Sequence, residues 1–258
     1  MSIQRCVNID EFNENGFIVV PQLVSKEQIQ TLFKHIENLL DETLALTNIH
    51  INQDASIDEK YLKLKEERST IKAHLYDLTS HLHFLWTIYS SENIVNLVKQ
   101  LLNCDTVLMD IMTLRIDDDA DDRLVPIHQE LGQISTMHIT VWIPMVDVTE
   151  ETGGLCYFPK SHKQGEVSAE RYPEVNNLYG VAKELIDTSK MEHINFKAGD
   201  GLLFHPCLFH GSTSNKVKRI RWTMVCRFNN LHDIPYLQHD NAPYRTPFTE
   251  PFGSRYGH

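Results

Sequence analysis

The spacing of apolar residues changes character near residue 106. Before it, Ile29, Leu32, Phe33, Ile36, Leu39 and Leu40 recur at helical spacing. Ser25 and Gln28 form a capping-box pattern ahead of them, so a helix is predicted from there to about residue 46. The stretches 70–86 and 91–102 carry the same periodicity and predict further helices, and FIVV at 17–20 predicts a short buried strand. The intervening 48–68 is polar and charged; it reads as a helix–loop insertion or a mobile flap. Beyond 106, the runs 106–116, 138–148, 154–159, 193–196, 201–209 and 219–228 read as strands separated by turn signals. Helices followed by strands predict an α+β fold, mainly β. In the last run, Arg219, Arg221 and Arg227 share one face, while Ile220, Trp222, Met224, Cys226 and Phe228 share the other. The apolar face is expected to pack on the helices and the arginine face to look inward.

Composition narrows the class. A chain of 258 residues, 41% hydrophobic, can bury one large core. The formal net charge of −11 argues against nucleic acid or an anionic membrane as the main partner. No apolar run reaches transmembrane length, and the N-terminus lacks the apolar segment of a secretory signal. Five scattered cysteines without a C-x-x-C spacing point to a reduced, cytoplasmic protein. The acidic run DDDADDR at 117–123 lacks the spacing of a calcium loop and is expected to be a solvated turn.

The candidate chemistry lies in LVPIHQE at 124–130 and in 199–222. His128 and Glu130 are two apart, so on a strand they share a face and can take adjacent positions on one metal ion. A second histidine from a distant strand would complete the two-His-one-carboxylate triad of non-haem Fe(II) oxygenases, which leaves three coordination positions open. His205 and His210 compete for that role on opposite faces of a regular strand. Arg219 and Arg221 compete as the partner that would grip the far carboxylate of a metal-chelating 2-oxo acid. Gln129 points away from such a metal and is left unassigned.

The surrounding text resembles the phytanoyl-CoA dioxygenase family of Fe(II)/2-oxoglutarate oxygenases. The resemblance runs through FNENGFIVVPQLVSKEQIQTL (12–32), HITVWIPMVDVTEETGGLCYFPKSHKQG (138–165) and GDGLLFHPCLFHGSTSN (199–215), followed by Arg221. It implies a double-stranded β-helix, a jelly-roll barrel, with the N-terminal helices packed on one sheet. The chain is then a single domain, 1–258, with 1–105 as helical support, 106–228 as barrel core and 229–258 as a C-terminal cover. The metal ligands and catalytic residues implied are His128, Glu130 and His210. Arg221 would anchor 2-oxoglutarate, Ser212 would bond the same carboxylate and Trp142 would line the barrel. His205 would be a packed residue, and His162 a structural contact within its P-x-S-H-K turn. Glu130 stands where the family usually has Asp. The implied reaction uses Fe(II), 2-oxoglutarate and dioxygen to hydroxylate an unactivated C–H bond of a small molecule, releasing succinate and CO2. Desaturation, epimerisation and halogenation are alternatives, the last disfavoured because the carboxylate ligand is present; a non-catalytic partner subunit is another. The segments 161–192 and 229–258 are the expected substrate covers. The lack of a polybasic cluster disfavours a CoA thioester.

Overall fold

The computed structural model describes residues 6–68, 70–118, 125–130, 137–174, 178–217 and 219–230. Helix α1 (Ile9–Asn15) ends at Gly16, whose φ of 84° makes the turn into strand β1 (Phe17–Val20). Helix α2 (Lys26–Thr47) begins at the expected capping box, with both reciprocal bonds between Ser25 and Gln28 formed. Residues 48–68 are not a flap. Helix α3 (Ile57–Glu67) occupies them, capped by Ser56 and Glu59, and buries Tyr61 and Leu64. Lys60 on that helix reaches Glu37 and Asp41 of α2, each at 2.8 Å.

The helix expected over 70–86 is two: α4 (Ile71–Ser80) and α5 (His83–Tyr89). The hydroxyls of Thr79 and Ser80 bond back to the carbonyls of Leu75 and Asp77, the local competition by which such side chains end helices. Helix α6 (Glu92–Leu102) follows as predicted, closing on Asn103 in the left-handed conformation.

The strands are β2 (Val107–Asp117), β3 (His138–Pro144), β4 (Leu155–Tyr157), β5 (Ala169–Tyr172), β6 (Leu178–Val181), β7 (Glu192–His193), β8 (Gly201–Phe204), β9 (His210–Ser212) and β10 (Arg221–Asn230). Five pair antiparallel in the order β1-β8-β3-β10-β2, three in the order β7-β4-β9, and β5 with β6 forms a separate hairpin. The larger sheet has two distinct faces. Ile220, Trp222, Met224, Cys226 and Phe228 join the helices in one core, as their parity requires, while Trp142, Leu202, Phe204 and Val225 pack with Leu155 and Tyr157 of the smaller sheet. This is a jelly roll buttressed by helices.

The run 201–209 is not one strand. It stops at Phe204, turns through Pro206, and restarts as β9 in the other sheet. Proline cannot donate to a ladder, so the chain crosses between sheets there. Asn229 and Asn230, expected at the start of a C-terminal cover, instead end β10; residues 231–258 lie outside the described residues. Among the described residues, no helix is long and apolar enough to cross a membrane.

Candidate metal centre

Backbone pairing places the two histidines before their side chains are considered. The His128 amide donates to the His210 carbonyl at 2.8 Å, and the His210 amide donates back at 3.1 Å. The Glu130 amide donates to the Pro206 carbonyl at 2.9 Å, so the turn that breaks the 201–209 run also holds the carboxylate residue. His128 Nδ1 lies 2.9 Å from the Pro126 carbonyl, and His210 Nδ1 lies 3.0 Å from that of Leu208. A carbonyl only accepts, so each Nδ1 carries the proton and each Nε2 is the outward atom. Glu130 Oε1 sits 3.3 Å from His210 Nε2 and 3.9 Å from His128 Nε2. The three ligand atoms lie within 4.8 Å of one another.

That donor set fits a transition-metal ion. Ligands about 2.1 Å from one ion at right angles lie roughly 3 Å apart. The facing atoms carry only lone pairs unless a proton or a cation sits among them. Burial, then neighbouring His210, pushes His128 down to about 3. Burial alone would raise Glu130, but the close contact with His210 and the charge of Arg227 outweigh it and hold the carboxyl below the usual carboxylate range. A neutral imidazole and an ionised carboxylate are the metal-binding forms.

Of the competing histidines, the fold brings His210 to the cluster and sends His205 elsewhere. His205 packs toward His162 and Phe12, and its Nδ1 accepts from the Cys207 amide at 3.0 Å. His162 bonds the Asn13 carbonyl at 3.1 Å, a structural contact as expected. Of the three arginines in the 219–228 run, Arg219 is exposed ahead of β10, and Arg221 and Arg227 are buried on it. Arg221 donates from Nη2 to Asp117 at 2.9 Å, while its Nε and Nη1 are buried without a partner among the described residues. Among the described residues, the buried hydroxyls of Thr223 and Thr140, on the same sheet face, also lack partners. Buried donors without protein partners mark a place for a polar ligand.

Ser212, two residues beyond His210, is half-buried opposite Leu155. Trp142 is packed edge-on against Phe196 at 5.1 Å, inside the inner apolar cluster. Gln129, left without a role, donates to the Gly165 and Cys207 carbonyls and accepts from the Val167 amide. It thereby ties the approach to β5 onto the segment between His128 and Glu130. The acidic run is not a solvated turn at its start. Asp117 pairs with Arg221, and Asp118 is buried against Lys65 at 2.6 Å; residues 119–124 lie outside the described residues. Local composition could not reveal those partners, which come from distant elements.

Sequence reasoning gave no role to Arg227, whose Nε and Nη2 both lie 2.7 Å from Glu130 Oε2. Its shared parity with Arg221 was the available signal.

A jelly roll carrying two histidines and a carboxylate at one point has the donor set of the non-haem Fe(II) oxygenase class. The chain belongs to the phytanoyl-CoA dioxygenase family, whose model matches residues 12–223. A curated relative, the peroxisomal phytanoyl-CoA dioxygenase of Mus musculus, is 25% identical over 235 residues, covering 85% of this chain and 66% of that protein. The chain thus spans about two thirds of that relative's length. Among solved structures, the apo form of a non-heme monooxygenase, ThoJ, superposes with a TM-score of 0.65 at 16% identity, covering 86% of this chain and 76% of its own. The epimerase SnoN, in complex with Fe3+, alpha ketoglutarate and nogalamycin RO, superposes with a TM-score of 0.61 at 14% identity, covering 94% and 92%. These likenesses confirm the jelly-roll fold.

Proposed function

We propose that this protein is an Fe(II)- and 2-oxoglutarate-dependent oxygenase that hydroxylates an unactivated C–H bond of a small molecule, releasing succinate and CO2. The carrying observation is the convergence of His128, Glu130 and His210 against β10, whose Arg227 bonds Glu130 and whose Arg221 keeps two buried donors without a partner among the described residues. The three residues would hold the iron, and Arg221, with Ser212, would hold the far carboxylate of 2-oxoglutarate. Trp142 would wall the chamber and exclude water. When bound, the metal and co-substrate supply the oxidising chemistry, and the protein contributes positioning and charge.

The substrate would enter beside His128, where a cavity of about 300 Å³ is lined by Val125, Val167, Ala169, Leu178 and Val181, with Glu166 among the lining residues. The β5–β6 hairpin supplies much of this wall, within the 161–192 segment expected to cover the site. The aliphatic lining supports a largely apolar substrate, and Glu166 in place of a basic group counts against a phosphate at that mouth. A reducing compartment, the cytoplasm, fits five free cysteines.

Epimerisation is the second reading, favoured by the likeness to SnoN; desaturation uses the same centre. A carboxylate ligand in place counts against halogenation, and the complete donor set counts against a non-catalytic subunit. The test is anaerobic reconstitution with Fe(II) and 2-oxoglutarate, followed by a substrate screen read by succinate release and product mass under labelled dioxygen. A visible chelate band lost in His128→Ala and His210→Ala, with one labelled oxygen in the product, is the expected result. A product of unchanged mass and inverted configuration would replace hydroxylation with epimerisation.

A further inference from the structure

The two oxygens of Glu130 have different neighbours. Oε1 faces Nε2 of both histidines, whereas Oε2 receives Nε and Nη2 of Arg227, both at 2.7 Å. The pair is buried, with side-chain exposures of 9% for Arg227 and 5% for Glu130. Arg227 stands on β10, which is paired on both sides by β2 and β3, so its backbone is held by the middle of the sheet. Glutamate has one more side-chain torsion than aspartate, and so more freedom to lose on ligation.

We propose that Arg227 is a positioning residue for the metal. By occupying Oε2 it holds the longer Glu130 side chain in one rotamer and presents Oε1 alone, so that the carboxylate takes one coordination position and three remain open. A guanidinium forks onto a carboxylate in a fixed plane, which a lysine ammonium cannot reproduce. This inference rests on the assignment of His128, Glu130 and His210 as ligands.

The sign of the effect separates positioning from plain electrostatics. A cation near a metal site repels the metal, so deleting the Arg227 charge would by itself tighten metal binding. Positioning requires the reverse. The experiment is Mn(II) titration, followed by electron paramagnetic resonance of the free ion, without 2-oxoglutarate, on the unmodified protein, Arg227→Met and Arg227→Lys. Thermal unfolding of the metal-free proteins accompanies it. The expected result is one Mn(II) per unmodified chain, binding at least about tenfold weaker in Arg227→Met, and an intermediate loss in Arg227→Lys, which keeps the charge but not the fork. Mn(II) affinity equal to or tighter than the unmodified protein in Arg227→Met would overturn the proposal. If that variant fails to fold, Arg227→Lys decides: undiminished affinity overturns the proposal and weakened affinity supports it. An unmodified protein that binds no Mn(II) would instead defeat the ligand assignment itself, and this inference with it.

Discussion

Arg221 and Arg227 stand on the same strand and the same face, are both buried, and each reaches a carboxylate, yet they hold it differently. Arg227 turns Nε and Nη2 onto a single oxygen of Glu130. Arg221 gives Nη2 to Asp117 and keeps Nε and Nη1 buried without a partner among the described residues. An arginine whose donors are committed to a carboxylate of the proposed metal site serves the protein's own geometry. One whose donors are desolvated and uncommitted costs stability until something arrives to accept from them. Burial therefore does not distinguish the two; hydrogen-bond accounting does.

The largest expected effect tests that division directly. Arg221→Ala should weaken 2-oxoglutarate binding by roughly 2–5 kcal/mol, the range for truncating one member of a buried charged pair. Mn(II) affinity without co-substrate should stay unchanged, the opposite pattern to Arg227→Met. Calorimetric titration of each ligand checks both halves, and a parallel loss of both in Arg221→Ala would erase the distinction between the arginines.

Asp117 supplies the next effect. Burial would raise its carboxyl, but the charges of Arg115 and Arg221 outweigh burial and bring it down to about 2. A group lowered on folding contributes stability that is full above its unfolded value of about 4 and is lost as pH falls through the folded value. Acid unfolding should therefore steepen between about pH 4 and pH 2, by up to ~2 kcal/mol, and Asp117→Asn should flatten the curve there. An unchanged curve in the variant would mean that the ion pair contributes nothing in the native state.

The smallest effect concerns Thr223, the next inward residue after Arg221. Replacing its buried, unpartnered hydroxyl by a methyl in Thr223→Val should leave stability equal or raised by up to about 1 kcal/mol. If the hydroxyl serves the same ligand as Arg221, 2-oxoglutarate affinity should fall by a comparable ~1 kcal/mol. Stability lost with affinity kept would place Thr223 with the scaffold instead.

Several features were legible in the linear chain because they depend on neighbours in sequence. The capping box at Ser25 and Gln28 and the two faces of β10 follow from helical and strand periods alone, whereas His128 and Glu130 meet without the strand expected there: His128 makes only an isolated bridge to His210. The family motifs added the jelly roll and the preference for His210 and Arg221. The sequence did not show that Thr79 and Ser80 would end a helix, or that 48–68 would be capped by Ser56 and packed beneath Trp222. Asp58 on that helix accepts the Trp222 indole N–H at 2.9 Å.

What the sequence by itself determined is periodicity: which residues share a face, where helices begin, and which chemistry-bearing types stand at ligand spacing. Tertiary structure alone decided the partners. It broke the 201–209 run at Pro206, so that His210 meets His128 while His205 turns to His162. It drew Asp117 out of an apparently solvated acidic run onto Arg221, and set Arg227 against Glu130 across a separation of 97 residues. The physical reason is that side-chain period is a local property of the backbone. The partner of a buried charge is chosen by which strands the sheet brings together, and no local pattern records that choice.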